Sequence, residues 1–218
     1  GTAKIPDFRS INDRKILNST KIYDRTGETL LYDLHEDVKR TIIPFEDMGD
    51  NIKHATVSIE DRDFYNHGGI RVTSIFRAVL SNIFKGSSQG GSTITQQVIK
   101  NSLLTQEKSI TRKFKEWILS IKVDQALGKD EILTLYLNEN PYGGAIYGIQ
   151  EASQTYFKKN PADLTIAESA YLAAIPQSPT TYSPYGKNVD KLEARKNLVL
   201  KNMLEQNYIS QADYDKAK

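Results

Sequence analysis

Residues 58–69 read SIEDRDFYNHGG, and the interpretation of the whole chain turns on this stretch. It sets Glu60, Asp61, Arg62 and Asp63 beside Phe64, Tyr65 and His67, then closes on two glycines. The lead-in HATVSIED predicts a helix that brings Glu60 to its end, where DRDFYNHGG turns the chain away. A carboxyl at such a junction, half-buried against Phe64 and Tyr65, could accept a proton. A solvated cluster of ion pairs is the plainer alternative, so the stretch needs a partner elsewhere before it means catalysis.

The bulk numbers narrow the choice of partner. The chain has 218 residues, 39% hydrophobic and 26% charged, which is ordinary for a globular protein. A formal net charge of +2 gives no global field for nucleic acid, so any anion site must be a local cluster. Cysteine is absent, which excludes disulfides and thiolate metal sites. His35, His54 and His67 show no HExxH-like spacing, which argues against a zinc hydrolase. No run of about 18 apolar residues appears. The sequence opens at GTAKIPDF without an initiator Met, so it is expected to be a piece of a longer protein, and a missing anchor is uninformative.

The predicted elements are mostly helical. Residues 20–34 read as two short strands around a turn at Asp24 to Gly27. Residues 70–84 place Val72, Ile75, Phe76, Val79, Leu80, Ile83 and Phe84 on one apolar stripe, which suits either a core-facing helix or a lip that touches lipid. KGSSQGGS at 85–92 is a loop. Helices are expected from about Ser109 to Leu127 with Gly128 as a stop, over 130–138, from a capping box at 165–168, over 190–207, and from 210 onward.

Two further stretches offer chemistry. GGSTITQQVIKNS, residues 90–102, presents Ser92, Thr93, Thr95, Gln96 and Gln97 as uncharged donors and acceptors suited to sugar hydroxyls or phosphate oxygens. A Ser/Thr-rich helix entry is the rival reading. In SITRKFKEWILSI, residues 109–121, Ile110, Phe114, Trp117, Ile118 and Ile121 make one apolar face. Arg112, Lys113 and Glu116 share a neighbouring sector, either as a surface salt bridge at i,i+4 or as two cations and a carboxylate presented to a pyrophosphate, with Lys100 and Lys108 adding to the same positive surface.

EDRDFYNHGG, GGSTITQQ, RKFKE and KDEILTLYLN, taken in this order and spacing, resemble the motifs of the peptidoglycan glycosyltransferase family. This is the transglycosylase domain of class A penicillin-binding proteins and of monofunctional transglycosylases. IYDRTGE and ESAYLAAIPQSP are also similar to parts of that family, so the resemblance covers nearly the whole chain. It implies a mainly α, lysozyme-like fold with a large helical lobe, a smaller membrane-facing jaw at about 70–92 and a short N-terminal β-hairpin. Residues 1–34 would then be linker and hairpin, and 35–218 the glycosyltransferase domain.

Carried over by motif, the resemblance makes Glu60 the catalytic base and Glu116 the second carboxylate, with Asp61 a support for Glu60 or a metal contact. Ser92, Thr93, Gln96, Gln97 and Lys100 fall on the sugar and phosphate groove, and Lys108, Arg112 and Lys113 on its pyrophosphate-facing cations. Lys129, Tyr136 and Asn138 fall in the fourth motif, and Phe76, Val79, Leu80, Ile83 and Phe84 on the membrane-facing jaw. The substrates implied are lipid II and the growing lipid-linked glycan, joined with inversion, which sets the two carboxyl groups more than about 6 Å apart. The resemblance further implies a membrane surface as partner, moenomycin as inhibitor, no nucleic acid, no organic cofactor and, at most, a divalent cation such as magnesium or manganese. The implied location is the outer face of the bacterial cytoplasmic membrane, through an N-terminal transmembrane helix outside this sequence.

The chain departs from the pattern at Arg71 and Val72, where many members carry an acid and a proline, at Lys108, where some have arginine, and at Pro141, where others have tyrosine. A lysozyme-like hydrolase and a non-catalytic wall-binding scaffold remain the rival functions. No Ser-x-x-Lys or Lys-Thr-Gly occurs, so no transpeptidase site lies in this sequence.

Overall fold

A two-stranded antiparallel ribbon precedes the helices: β1 (Ser19–Tyr23) pairs with β2 (Leu30–His35), with Ser19 opposite His35 and Tyr23 opposite Leu30. The computed structural model describes these strands and residues 40–71, 91–103 and 110–218, with side chains over 40–71, 91–101 and 113–218. The turn at Asp24 to Gly27 lies outside the described residues, as do Lys108 and the jaw residues Phe76, Val79, Leu80, Ile83 and Phe84.

Eight α-helices make up the described body, which is mainly α as expected. They are α1 (Asp50–Glu60), α2 (Ile94–Leu103), α3 (Ile110–Ala126), α4 (Lys129–Glu139), α5 (Ile149–Phe157), α6 (Ile166–Ala174), α7 (Val189–Glu205) and α8 (Gln211–Ala217). No helix among the described residues is long and apolar enough to cross a membrane.

Three helices form the block that carries Glu60. α6 starts where Thr165 accepts from the Glu168 N–H while the Glu168 carboxylate accepts from the Thr165 N–H at 2.8 Å. Its inner residues Ser169, Ala170, Leu172, Ala173 and Ala174 are small or compact and buried, so α1 and α7 pack closely on it. α7 contributes Leu192, Val199, Leu200 and Met203, and α1 contributes Ile52, Ala55 and Val57. Each such large apolar side chain stabilises the fold by roughly 1.5–3 kcal/mol when fully buried. At the other end of α1, a Cβ on Gly49 would lie 2.9 Å from the Ala162 Cα, so only glycine allows this approach.

A second block, α2 with α3 and α4, packs Ile94, Val98 and Ile99 against Val123 and against Ile132, Leu133 and Leu137. α3 ends at Ala126, just before Gly128, as expected. Gly128 is extended, with φ of −67°, and caps α4, its N–H donating to Glu131 at 2.9 Å.

On α3 the apolar face is not the buried one. Phe114 and Ile118 are 56% and 51% exposed, whereas Glu116, Ser120 and Val123 are buried. The helix is rotated so that its polar sector faces the protein. Burying that sector is tolerable because its groups are paired: Lys113 donates to the Glu116 carboxylate, and the Ser120 hydroxyl donates to the Glu116 carbonyl at 2.7 Å.

Candidate functional site

Glu60 is the last residue of α1, where the helix ends and the chain turns at Asp61. Its side chain is only 9% exposed, and each carboxylate oxygen has a protein donor. Gln97 from α2 donates its amide to Oε2 at 2.9 Å, and Arg195 from α7 donates Nη2 to Oε1 at 3.0 Å. Two buried tyrosines complete the surroundings. Burial, followed by the negative charge of Glu60, pushes the Tyr136 hydroxyl well above its usual range, and the same causes raise Tyr142. Both stay neutral donors, and the Tyr136 hydroxyl reaches Gln97 Oε1 at 3.5 Å. The expected flanking by Phe64 and Tyr65 gives way to this set: Phe64 is buried, its ring edge-on to Tyr65 and His67, and Tyr65 is 47% exposed.

The second carboxylate, Glu116, is 1% exposed and pairs with Lys113. Lys113 also donates to the Ser92 hydroxyl at 3.1 Å. Ser92 lies just before α2 and Gln97 lies within it, so the start of α2 touches both carboxylate centres. Each acid has its own cation, Arg195 for Glu60 and Lys113 for Glu116. The side chain of Arg112 and all of Lys108 lie outside the described residues.

Several residues expected on the groove are spent on the scaffold. Thr93 and Gln96 cap α2 reciprocally: the Thr93 N–H donates to Gln96 Oε1 at 2.8 Å, and the Gln96 N–H to the Thr93 hydroxyl at 3.1 Å. The Thr93 hydroxyl donates in turn to the Gly69 carbonyl at 2.6 Å. Both residues are buried, so the helix-entry reading describes them better than a sugar-facing one. Asp61 has no exposed surface. Its Oδ2 accepts from His67 Nε2 at 2.8 Å and from the Ile94 N–H at 3.0 Å, and Arg71 Nε stands 3.4 Å from Oδ1. It ties the acidic loop to the start of α2, and Arg71, a departure from the family pattern, pairs with it.

Lys129 does similar work. Its ammonium donates to the His67 carbonyl and to Asp124, both at 2.5 Å, and sits 4.9 Å from the Phe64 ring centre. Asn138 clamps the approach segment, exchanging hydrogen bonds with the Ile43 N–H at 3.2 Å and carbonyl at 2.9 Å. Lys100 is exposed on α2. The structure therefore gathers Glu60, Gln97 and Tyr136 at one centre and Ser92, Lys113 and Glu116 at another.

Arg195 was missed by the motif reading. The signal was there: Leu192, Arg195, Val199 and Met203 follow three- and four-residue steps, so a cation sits on the buried stripe of α7. A shallow cavity of about 500 Å³ is lined by Pro141, Gly144, Tyr147, Pro179, Thr180, Ser183 and Gly186, with no charged side chain. Among the described residues no group of three or more His, Asp or Glu could hold a metal ion. Asp61, the expected metal contact, already has protein donors.

A family model described as Transglycosylase matches residues 27–204. The chain is 43% identical to penicillin-binding protein 1A of Clostridium tetani over 228 residues, covering 100% of this chain and 29% of that protein. It is 40% identical to penicillin-binding protein 1A of Neisseria flavescens, covering 98% of this chain and 27% of the relative, and 39% identical to that of Aquifex aeolicus, with 98% and 30% covered. The chain thus spans under a third of the length of these relatives. Among solved structures, the 2.6 Å crystal structure of penicillin-binding protein 1A from Haemophilus influenzae aligns over 91% of this chain and 20% of that one, at 24% identity and a TM-score of 0.48.

Proposed function

The chain belongs to the transglycosylase family of peptidoglycan glycosyltransferases, and from that premise we propose that it polymerises lipid II into β-1,4 glycan strands. The growing lipid-linked glycan is the donor and lipid II the acceptor. The acceptor C4 oxygen attacks the donor's anomeric carbon on the face opposite the pyrophosphate. The new C–O bond forms, the C–O bond to phosphate breaks, and undecaprenyl pyrophosphate leaves. The hydroxyl proton goes to Glu60, which can receive it because each carboxylate oxygen keeps a lone pair beyond the one bonded to Gln97 or Arg195.

The leaving pyrophosphate gains negative charge, and fixed cations stabilise it. Lys113 and Lys100 are assigned to that charge, with Arg112 and Lys108 added from the motif. Glu116 orients Lys113 rather than taking a proton, as their direct pairing indicates. Ser92 supports the same ammonium. The described donors do not fit a divalent cation, so no step is routed through one. Residues 35–218 carry this activity, with the jaw near 70–92 on the outer face of the cytoplasmic membrane, and moenomycin competes for the groove.

The observation that carries the assignment is the buried Glu60 carboxylate at a helix end, held by two donors, and joined through the Ser92–Gln97 segment to a carboxylate–lysine pair. A glycan hydrolase also uses two carboxylates but has no diphosphate leaving group, and so no need for a cation beside the second one. The test is polymerisation of purified lipid II by wild type and Glu60→Gln. Loss of the base should lower the rate roughly 10²- to 10⁴-fold. A wild-type rate in the variant removes Glu60 from the chemistry, and degradation of finished glycan by the wild type favours the hydrolase.

A further inference from the structure

We propose that Arg195 is a positioning residue for Glu60, fixing the plane in which the carboxylate meets the acceptor hydroxyl. The inference rests on the reading of Glu60 as the proton acceptor. A glutamate at the end of a helix has three side-chain torsions to lose, and its reactive direction is set only if something else fixes them. Here two donors from different helices hold different oxygens, Gln97 from α2 on Oε2 and Arg195 from α7 on Oε1.

Arg195 is itself immobilised. Its Nε donates to the Ala174 carbonyl at the end of α6 at 3.0 Å, and its guanidinium carbon lies 5.5 Å from the Tyr182 ring centre. With 12% of its side chain exposed, it forms a buried bracket running from α6 through α7 to α1. One planar group thus meets a carbonyl, an aromatic face and a carboxylate at fixed mutual angles. An ammonium is a point donor and cannot reproduce all three. Gln97 is braced in a similar way, with the Tyr136 hydroxyl at its Oε1.

A purely structural ion pair between α1 and α7 would show the same distances, so the test needs a readout that packing alone does not move. Steady-state polymerisation of purified lipid II is measured for wild type, Arg195→Ala, Arg195→Lys, Glu60→Gln and the double variant Glu60→Gln/Arg195→Ala, with thermal unfolding of each. The expected result is that Arg195→Ala loses roughly 100-fold in kcat, the scale of a misplaced reacting group, with KM within about twofold. Arg195→Lys recovers part of kcat. The double variant is no slower than Glu60→Gln alone, because a group that acts through Glu60 has nothing left to position.

Should Arg195→Ala fail to fold, Arg195→Lys carries the same comparison, with kcat lowered at unchanged KM. Wild-type kcat in a folded Arg195 variant, a loss confined to KM, or multiplicative losses in the double variant would overturn the proposal. A dead Glu60→Gln beside a fully active Arg195→Ala removes Arg195 alone. A fully active Glu60→Gln removes the base assignment beneath it.

Discussion

Gly69, the second glycine closing SIEDRDFYNHGG, should be irreplaceable, and Gly68, its neighbour, should not. Gly69 has φ of +79°, a region that costs an ordinary L-residue roughly 1–2 kcal/mol. A Cβ there would also sit 2.4 Å from the Ser120 carbonyl oxygen, 2.8 Å from its carbon and 2.9 Å from Asp124 Cβ. Two of these atoms are helix backbone, so relief requires the loop and α3 to part by about 1 Å, an overpacking that costs roughly 1–3 kcal/mol. The sum for Gly69→Ala is about 2–5 kcal/mol. At Gly68 an added Cβ meets nothing within 4 Å, and alanine there should be neutral or stabilise by up to about 1 kcal/mol through the unfolded chain. Urea unfolding measures both, with the midpoint moving and the slope unchanged. Equal effects at the two positions, or a change under about 0.5 kcal/mol for Gly69→Ala, would refute the claim that backbone contact with α3 dictates this glycine.

Two further outcomes follow from paired charges. Lys113→Met strips the described cation from the buried Glu116 carboxylate, so it should cost roughly 1–3 kcal/mol in urea and slow lipid II polymerisation, while Lys113→Arg retains most of both. Burial of Glu168 by itself raises its pKa, but the hydrogen bonds from Lys159 and Thr165 outweigh it and hold the carboxyl below its ordinary 4.5. A depressed folded value contributes stability above pH 4.5 that is lost as pH falls through that value, so the advantage of wild type over Glu168→Gln in urea midpoint should shrink between pH 7 and pH 3.

How much of this was legible in the sequence depends on whether a signal was local. The start of α6 was readable because Thr165 and Glu168 cap each other across three residues, and the end of α1 because acids and glycines interrupt an apolar period. The face of α3 was not. Periodicity reveals that a helix has two sides, and hydrophobicity alone then assigns Phe114 and Ile118 to the core. What reverses the assignment is pairing across distance: Lys113 with Ser92, 21 residues earlier in the chain, and the backbone of Ser120 against Gly69. Thr93 and Gln96 illustrate the converse, since side chains that looked available to a sugar cap each other at the start of α2.

Arg195 illustrates the remaining case. A search for chemistry looks for charged residues off the apolar stripe, whereas a charge that must steer a buried carboxylate has to lie on it. Burying that guanidinium is costly unless every direction it faces is answered, and here a carbonyl, a ring and Glu60 answer it. The places where patterning misleads along this chain, the inward face of α3 and the stripe of α7, are those where a polar group is buried against a paired partner. Both carry a cation to one of the two glutamates. Local consistency gives way where a charge is buried with its partner, and an apolar stripe that includes an arginine marks such a place better than exposed charges do.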